Sequence, residues 1–222
     1  MKQNYENNKR RIQTFKLTAD VKDDSGRIHH FFEGYEYVEI GGIKWAICNV
    51  GAEKETDSGL YFAWGETQGR KNAKEKNFTW NDYKFVDNGS IFKYNRLDGL
   101  TKLEPCDDAA TQNMGENWRM PTYDEFSTLL SSTTKKWTAV NGVNGRLLTD
   151  KTDESKELFF PSVGYCEYGV IVNMYYYGRY WSSSLDASNV LYGRPLFSNN
   201  WGSFMSYANR YSGLPVRAIL DF

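Results

Sequence analysis

Two short segments of alternating apolar and polar residues, 35–40 and 44–49, lie on either side of Gly41 and Gly42. Alternation with a period of two is typical of a β-strand with one buried face. The two glycines permit the positive φ angles that a two-residue hairpin turn requires. The pattern therefore predicts a β-hairpin over residues 35–49.

A first short helix is predicted over residues 107–114. The segment opens with Asp107 and Asp108, whose charges suit a helix N-terminus. Gly115 follows it, and glycine commonly ends a helix because it adopts positive φ angles without strain.

A second helix is predicted over residues 122–131, directly after Pro121. Thr122 and Glu125 have the spacing of a capping box, in which each side chain binds the backbone N–H of the other residue. Apolar side chains at 126, 129 and 130 fall on one helical face.

The remaining regular structure is predicted to be short strands, at 158–164, 178–184, 190–197 and 215–222. Residues 51–104 combine Gly, Asn, Asp and Lys with scattered aromatic residues, which favours loops pinned by aromatic side chains. The "NGVNG" sequence at 141–145 predicts a turn-rich connection. Residues 1–33 are polar and charged, and we expect an N-terminal arm or attachment segment, or one or two strands that dock elsewhere. The fold class is therefore α+β, with one domain over residues 34–222.

Charge and hydropathy exclude several classes of protein. The formal net charge is −1 and the pI is about 6.2, so nucleic acid is not an expected partner. No apolar run approaches the roughly 18 residues of a membrane span, so we expect no membrane insertion. The first residues are basic but lack the apolar core of a secretory signal.

The segment 165–213 differs in composition from the rest of the chain. Its 49 residues include 9 Tyr, 8 Ser, 5 Asn and 5 Gly, and no Lys. Of the 55 charged residues in the chain, 48 lie in residues 1–160. Rigid aromatic rings mixed with small polar groups are typical of an antibody paratope. This composition predicts a ligand-binding surface.

Six sequence blocks, in order, resemble the Fibrobacter succinogenes major paralogous domain, which is common in Bacteroidetes. They are "YVEIGGIKWAICNVGA" at 37–52, "GLYFAWGET" at 59–67, "LEPCDDAATQNMGENWRMPTYDEFSTLL" at 103–130, "LFFPSVGY" at 158–165, "GRYWSSS" at 178–184 and "GLPVRAI" at 213–219. The resemblance implies a C-type lectin-like fold close to the branch of the formylglycine-generating enzyme.

The C-terminal segment also resembles the variable proteins of diversity-generating retroelements. In these proteins a C-type lectin scaffold carries codons in which adenines are randomised, and Asn codons can then yield Tyr, Ser, Asp, Gly or Arg, but not Lys, Glu, Gln, Met or Trp. Residues 183–212 contain no Lys, Glu or Gln, while Trp201 and Met205 would be fixed positions. The resemblance implies a variable region at about 175–212. It also implies a place on a phage tail tip or an extracellular cell surface, in a setting such as the human gut.

We therefore expect a non-catalytic receptor-binding or adhesion protein without a cofactor. Its partner would be a protein or glycan on another cell, and an oligomer is compatible with the sequence. The expected exposed binding face comprises Tyr175, Tyr176, Tyr177, Asp186, Ser188, Asn189, Tyr192, Arg194, Asn199, Asn200, Ser203, Tyr207, Asn209 and Tyr211. The alternatives are a fixed carbohydrate-binding adhesin, or an enzyme of the formylglycine-generating or carbohydrate-active type.

Metal and catalytic chemistry have few candidate residues. "WND" at 80–82 copies a calcium-binding motif of sugar-binding lectins, but the nearby "EPC" at 104–106 has a thiol in place of an amide oxygen. Calcium needs six to eight oxygen ligands, so we expect no metal. The only histidines, His29 and His30, are adjacent and would face opposite ways on a strand. The last third of the chain contains one cysteine, Cys166, without a partner thiol.

Four further residues are predicted to belong to the scaffold. Trp118 is expected in the core. Arg119 is expected to pair with a carboxylate or a loop carbonyl, and Arg217 to make scaffold contacts rather than ligand contacts. Of the adjacent Tyr180 and Trp181, we expect Trp181 to face inward, because neighbours on a strand point to opposite faces.

Overall fold

A computed structural model of the chain describes residues 18–221, and nearly all of its regular structure is antiparallel β-strand. The strands, in chain order, are β1 (Thr18–Lys22), β2 (Ile28–Phe32), β3 (Tyr35–Ile40), β4 (Ile43–Asn49), β5 (Val86–Asp87), β6 (Ser90–Ile91), β7 (Trp118–Arg119), β8 (Thr133–Val140), β9 (Val143–Asp150), β10 (Glu157–Pro161), β11 (Tyr165–Glu167), β12 (Val170–Val172), β13 (Gly178–Tyr180), β14 (Tyr192–Gly193), β15 (Leu196–Ser198), β16 (Ser203–Met205), β17 (Ala208–Asn209) and β18 (Arg217–Leu220). The two α-helices are α1 (Ala109–Met114) and α2 (Tyr123–Ser132). Three short 3₁₀ turns lie at Ala73–Glu75, Trp80–Asp82 and Pro105–Asp107.

The largest sheet has the strand order β1-β2-β3-β4-β18-β7. The predicted hairpin is confirmed, since β3 pairs with β4 and Gly41 and Gly42 turn the chain with φ angles of 62° and 74°. β18 pairs with β4, so the last strand lies beside this early hairpin. The described part of the predicted arm, residues 18–32, forms β1 and β2 at one edge of this sheet, and residues 1–17 lie outside the described residues.

The helix signals predicted from the sequence are confirmed. Thr122 caps α2, and Thr122 and Glu125 form both hydrogen bonds of a capping box. The buried Phe126 of α2 packs on Trp45 of β4, with ring centroids 5.4 Å apart. Burying a ring of this size stabilises the fold by roughly 1.5–3 kcal/mol, so this contact ties α2 to the large sheet.

The sequence did not predict the long hairpin of β8 and β9. These strands pair over eight residues each, and the turn at Asn141 and Gly142 has φ angles of 49° and 82°. The expected turn at 141–145 is therefore real, but it joins two regular strands. β10 extends this hairpin into a three-stranded sheet.

The buried interior consists of two clusters of side chains, both rich in aromatic residues. The first contains Trp64, Trp118 and Trp181, and the aromatic residues of the 51–104 loops pack in it as predicted. The second contains Trp45 and Tyr180. Trp181 and Tyr180 are both buried because strand alternation points them into different cores, so the expectation that only Trp181 faces inward was wrong for Tyr180.

Arg217 is 0% exposed, lies between β4 and β10, and is a scaffold residue, as predicted. Its guanidinium donates to Asn49 Oδ1 at 3.0 Å and to the Phe159 carbonyl at 3.0 Å. It also stacks on the Phe160 ring, 4.7 Å from the ring centroid. The described fold is thus mostly antiparallel β-structure with two short helices, compatible with a small α+β domain. No helix in the described range is long and apolar enough to span a bilayer.

Candidate ligand-binding face

Exposed large apolar side chains are concentrated in the second half of the chain. Of the twelve in the described residues, eight lie between residues 168 and 207: Tyr168, Val170, Tyr175, Tyr176, Leu191, Trp201, Phe204 and Tyr207. Single exposed apolar residues are normal on a protein surface, whereas a group of them indicates an interaction site. We call the exposed side chains of this sequence segment, taken together, the aromatic face.

A three-stranded sheet, β13-β15-β16, supports one part of the aromatic face. Its register places Arg179, Phe197 and Phe204 side by side across the three strands. The Phe197 and Phe204 rings are 5.1 Å apart. Their neighbours Tyr180 and Leu196 point the other way, into the second core. The sheet therefore fixes the backbone beneath the exposed rings.

Trp201 stands at the tip of the β15–β16 hairpin and is 87% exposed. The turn below it is held by Asn199, whose Oδ1 accepts from the backbone N–H groups of Trp201 (2.9 Å) and Gly202 (3.0 Å). Arg146 donates to the Asn199 carbonyl. Asn199 was expected on the exposed face, but it is buried because its side chain closes this turn.

A tight turn presents Tyr175 and Tyr176, which are 58% and 70% exposed. The Asn173 carbonyl accepts from the N–H groups of Tyr176 and Tyr177 at 3.2 Å and 3.1 Å. Tyr175 has a φ angle of 72°, which is uncommon for a bulky residue. Its N–H donates to the Ser162 carbonyl at 2.8 Å, which ties the turn to the sheet beneath. Backbone hydrogen bonds therefore hold these tyrosines outward.

Asp186 was expected on the exposed face but is buried, because it closes the loop at 186–194. Its Oδ1 accepts from the N–H of Ser188 at 2.9 Å and from the Ser188 hydroxyl at 2.6 Å. Its Oδ2 lies 3.2 Å from Nη1 of Arg194, which also stacks on Tyr123. Burial raises the pKa of Asp186, but the hydrogen bonds from Ser188 and Arg194 outweigh it and lower the pKa below its usual value.

Tyr211 was also expected to be exposed, and it is buried at the base of a second aromatic cluster. Its hydroxyl lies 3.0 Å from the hydroxyl of Tyr168 and accepts from Asn209 Nδ2 at 3.1 Å. Its ring packs on Trp80, 5.0 Å between centroids. Burial and the hydrogen bond with Tyr168 raise the pKa of Tyr211 above its ordinary value.

The other expected face residues are accessible to different degrees. Those exposed are Tyr175, Tyr176, Ser188, Asn200 and Tyr207; those half-buried are Tyr177, Asn189, Tyr192, Arg194, Ser203 and Asn209. Strand pairing places Tyr192 opposite Asn209, and the Tyr192 and Tyr207 rings lie 5.1 Å apart. The expected face did not include Tyr168, Arg179, Trp201 and Phe204. Arg179 and Phe204 alternate along their strands with Tyr180 and Met205, which pack in or against the second core, so strand alternation could have indicated that they point outward.

Two sets of residues bear on catalytic and metal-binding chemistry: the Cys166 thiol and an acidic cluster around Cys106. Cys166 is fully buried, and burial raises the pKa of its thiol to about 12, which disfavours the reactive thiolate. Glu104, Cys106 and Asp107 lie close enough together to hold an ion. However, Lys93 Nζ lies 2.6 Å from carboxylate oxygens of both Glu104 and Asp107, and Lys84 also pairs with Asp107, so two lysines already neutralise these acids. This arrangement does not suit a divalent cation.

A cavity of about 700 Å³, which shares no lining residue with the aromatic face, lies between the β1–β2 turn and residues 153–157. Within it His29 Nδ1 lies 2.5 Å from Glu36 Oε1, and His29 Nε2 lies 3.3 Å from Asp23 Oδ2. His30 pairs with a different carboxylate, that of Asp20, as expected for adjacent strand residues that point to opposite faces. No sequence pattern indicated this cavity.

Arg119, outside the aromatic face, pairs with carboxylates as predicted, through Glu125 at 2.6 Å and through Asp221. The described residues thus combine exposed aromatic side chains with a hydrogen-bonded support beneath them. Comparisons with protein-family models, with curated proteins and with solved structures find no match to this chain.

Proposed function

We propose that this protein binds a macromolecule on another cell through the aromatic face, without catalysis. One observation carries the proposal: exposed rings are concentrated in residues 168–207, and hydrogen bonds of the backbone and of the Asn199 side chain hold the turns beneath them. The face contains Trp, Tyr and Phe side chains, and Trp and Tyr are enriched among the residues that dominate binding energies at interfaces.

The rigidity of the support favours affinity. Ordering a flexible side chain on binding costs roughly 0.5–1.5 kcal/mol. Tyr and Trp have only two side-chain torsions, and the turns below Trp201 and Tyr176 are already fixed by hydrogen bonds to Asn199 and Asn173. Binding therefore costs little conformational entropy in these side chains and turns. Half-buried Ser and Asn groups nearby supply hydrogen bonds for selectivity.

The six sequence blocks and the Tyr-, Ser- and Asn-rich segment support a more specific proposal. The chain is a variable protein of a diversity-generating retroelement on a C-type lectin scaffold, displayed on a phage tail tip or a cell surface. Under this proposal Trp201 is a fixed anchor among variable positions. A near-copy of the codons for 180–217 beside a reverse-transcriptase gene, differing only at adenines, would support it. A neighbourhood without such a copy would favour a fixed adhesin.

The binding proposal is tested with the full chain, fluorescently labelled, on a panel of intact bacterial cells measured by flow cytometry. Trp201→Ser and Tyr176→Ser are compared with Leu97→Ser, which removes a side chain that is 97% exposed outside the aromatic face. We expect the first two variants to lose binding by tenfold or more, since an interface anchor contributes about 2 kcal/mol or more. Equal binding by all three variants, or no binding to any cell, would contradict the proposal.

A further inference from the structure

Arg179 differs from every other charged residue after position 160. Those residues are all engaged: Glu167 accepts from Ser212, Asp186 pairs with Arg194, Arg210 and Arg217 are buried donors, and Asp221 pairs with Arg119. The guanidinium of Arg179 makes no hydrogen bond or ion pair within residues 18–221, and its Nε is buried without an acceptor.

Aromatic rings hold this side chain in place. The guanidinium carbon lies 4.6 Å from the centroid of the Tyr165 ring and 5.4 Å from that of Phe197. Such contacts stabilise the cation and fix the plane of the group, but they satisfy none of its five N–H donors. The residue as a whole is half-buried, so the side chain is positioned and still reaches the surface.

A carboxylate is the group that best completes this arrangement. Guanidinium and carboxylate match as two parallel hydrogen bonds, here from the two Nη groups because Nε is buried, and partial burial strengthens the interaction. Arg179 sits next to Phe197, which in turn contacts Phe204 and Tyr177. An anionic group bound by Arg179 would therefore lie within the aromatic face.

The shape of the face favours a protein as the source of that carboxylate. Trp201 projects from a hairpin tip, and covering both faces of its indole requires a pocket in the partner. The cavity of about 700 Å³, which would suit a small ligand, shares no residue with the aromatic face. A folded protein offers both an apolar pocket and an Asp or Glu side chain at a fixed separation.

We propose that Arg179 binds a carboxylate of a protein partner while Trp201 enters an apolar pocket of the same partner. The inference rests on the proposed binding function and assigns the chemistry of its ligand. Arg179 supplies selectivity for an acidic surface, because a partner that leaves the guanidinium unpaired forfeits its hydrogen bonds.

The carboxylate site can be tested without the natural partner. Sodium acetate is titrated into the ¹⁵N-labelled full chain, and the arginine Nε–Hε resonances are followed, with sodium chloride at equal ionic strength as the control. Arg179→Lys identifies the resonance of Arg179. We expect the Arg179 resonance to shift saturably with acetate but not with chloride. The resonance of Arg194, which is already paired with Asp186, should not shift. No shift, or the same shift with chloride, would overturn the carboxylate site.

The protein partner is tested on the cells that bind the chain. Arg179→Met should weaken binding about thirty-fold and Arg179→Lys about tenfold, because lysine keeps the charge but loses the planar fork. Arg27→Met, an exposed arginine of the β1–β2 turn, is the matched control and should bind normally.

Cells are also treated with protease or with periodate before binding. Loss after protease but not after periodate supports a protein partner, and the reverse shows a glycan and overturns the inference. Unchanged binding by Arg179→Met likewise overturns it. In both cases the proposed function stands as long as Trp201→Ser still abolishes binding.

Discussion

Arg→Met substitutions at positions 210 and 179 compare a fully hydrogen-bonded arginine with one that lacks hydrogen-bond partners in the described part of the chain, both in the C-terminal segment. Arg210 is 0% exposed and has no carboxylate partner among the described residues. Its guanidinium instead donates to the Tyr83 hydroxyl at 2.8 Å and to the carbonyls of Tyr94, Val190 and Lys93 at 3.0–3.1 Å. It also stacks on Trp64, 4.8 Å from the ring centroid.

Methionine at either position keeps much of the side-chain volume and removes all donors. At 210 it leaves three carbonyls and one hydroxyl without their donor, and each buried unsatisfied group costs roughly 1–3 kcal/mol. Relief of the buried charge offsets part of this loss, so we expect Arg210→Met to lower the free energy of unfolding by about 4 kcal/mol. For a chain of this size that corresponds to a fall in Tm of roughly 8–16 °C. Arg179→Met removes no hydrogen bond, and we expect a change of less than about 1 kcal/mol.

Urea denaturation followed by tryptophan fluorescence, together with thermal melts, measures both variants. The slope of the unfolding free energy against urea should stay constant, so that the midpoints can be compared directly. Equal destabilisation by the two variants would refute the assignment of Arg210 to the scaffold and of Arg179 to the ligand.

Three further predictions follow from contacts of the described residues. Trp181→Ala should lower the free energy of unfolding by roughly 3–5 kcal/mol because it leaves a core cavity. Trp201→Ser should change it by less than about 0.5 kcal/mol. Similar losses for the two variants in urea denaturation would contradict the assignment of Trp181 to the core and Trp201 to the surface. Burial raises the pKa of Glu125, but hydrogen bonds from Arg119 and Thr122 outweigh it and lower the pKa from 4.5 to about 2. The free energy of unfolding should therefore be highest above pH 4.5 and should fall by about 2 kcal/mol as the pH drops towards 2. Glu125→Gln should flatten that part of the curve of stability against pH, and an unchanged slope would count against the assignment. In thiol titration of the native protein, exposed Cys106 should react promptly and buried Cys166 only after denaturant is added; fast labelling of native Cys166 would contradict its burial.

Local sequence signals predicted much of the fold. The Gly41-Gly42 turn and the capping box of Thr122 depend on residues close in sequence, and the structure confirms both of them. The β8–β9 hairpin was missed because Thr134, Lys135 and Lys136 are consecutive exposed residues, so β8 lacks a clear alternation.

Long-range contacts explain why part of the expected face is buried. Asn199 closes a turn that Arg146 supports from β9, and Tyr211 packs on Trp80, 131 positions earlier in the chain. Composition identifies a Tyr- and Asn-rich segment but does not show which side chains turn inward. The same limit hid Arg179, whose role follows from the rings of Tyr165 and Phe197 and not from its neighbours in sequence.

Hydroxyl-radical footprinting of the full chain, free and bound to cell envelopes from a strain that it recognises, tests the binding face most directly. The face predicts that bound envelopes protect Trp201, Tyr176 and Tyr207 from oxidation, while Leu97 is oxidised equally in both states. Protection of Leu97 or of the cavity beside His29, with Trp201 still fully oxidised, would place the binding surface elsewhere and contradict the proposal.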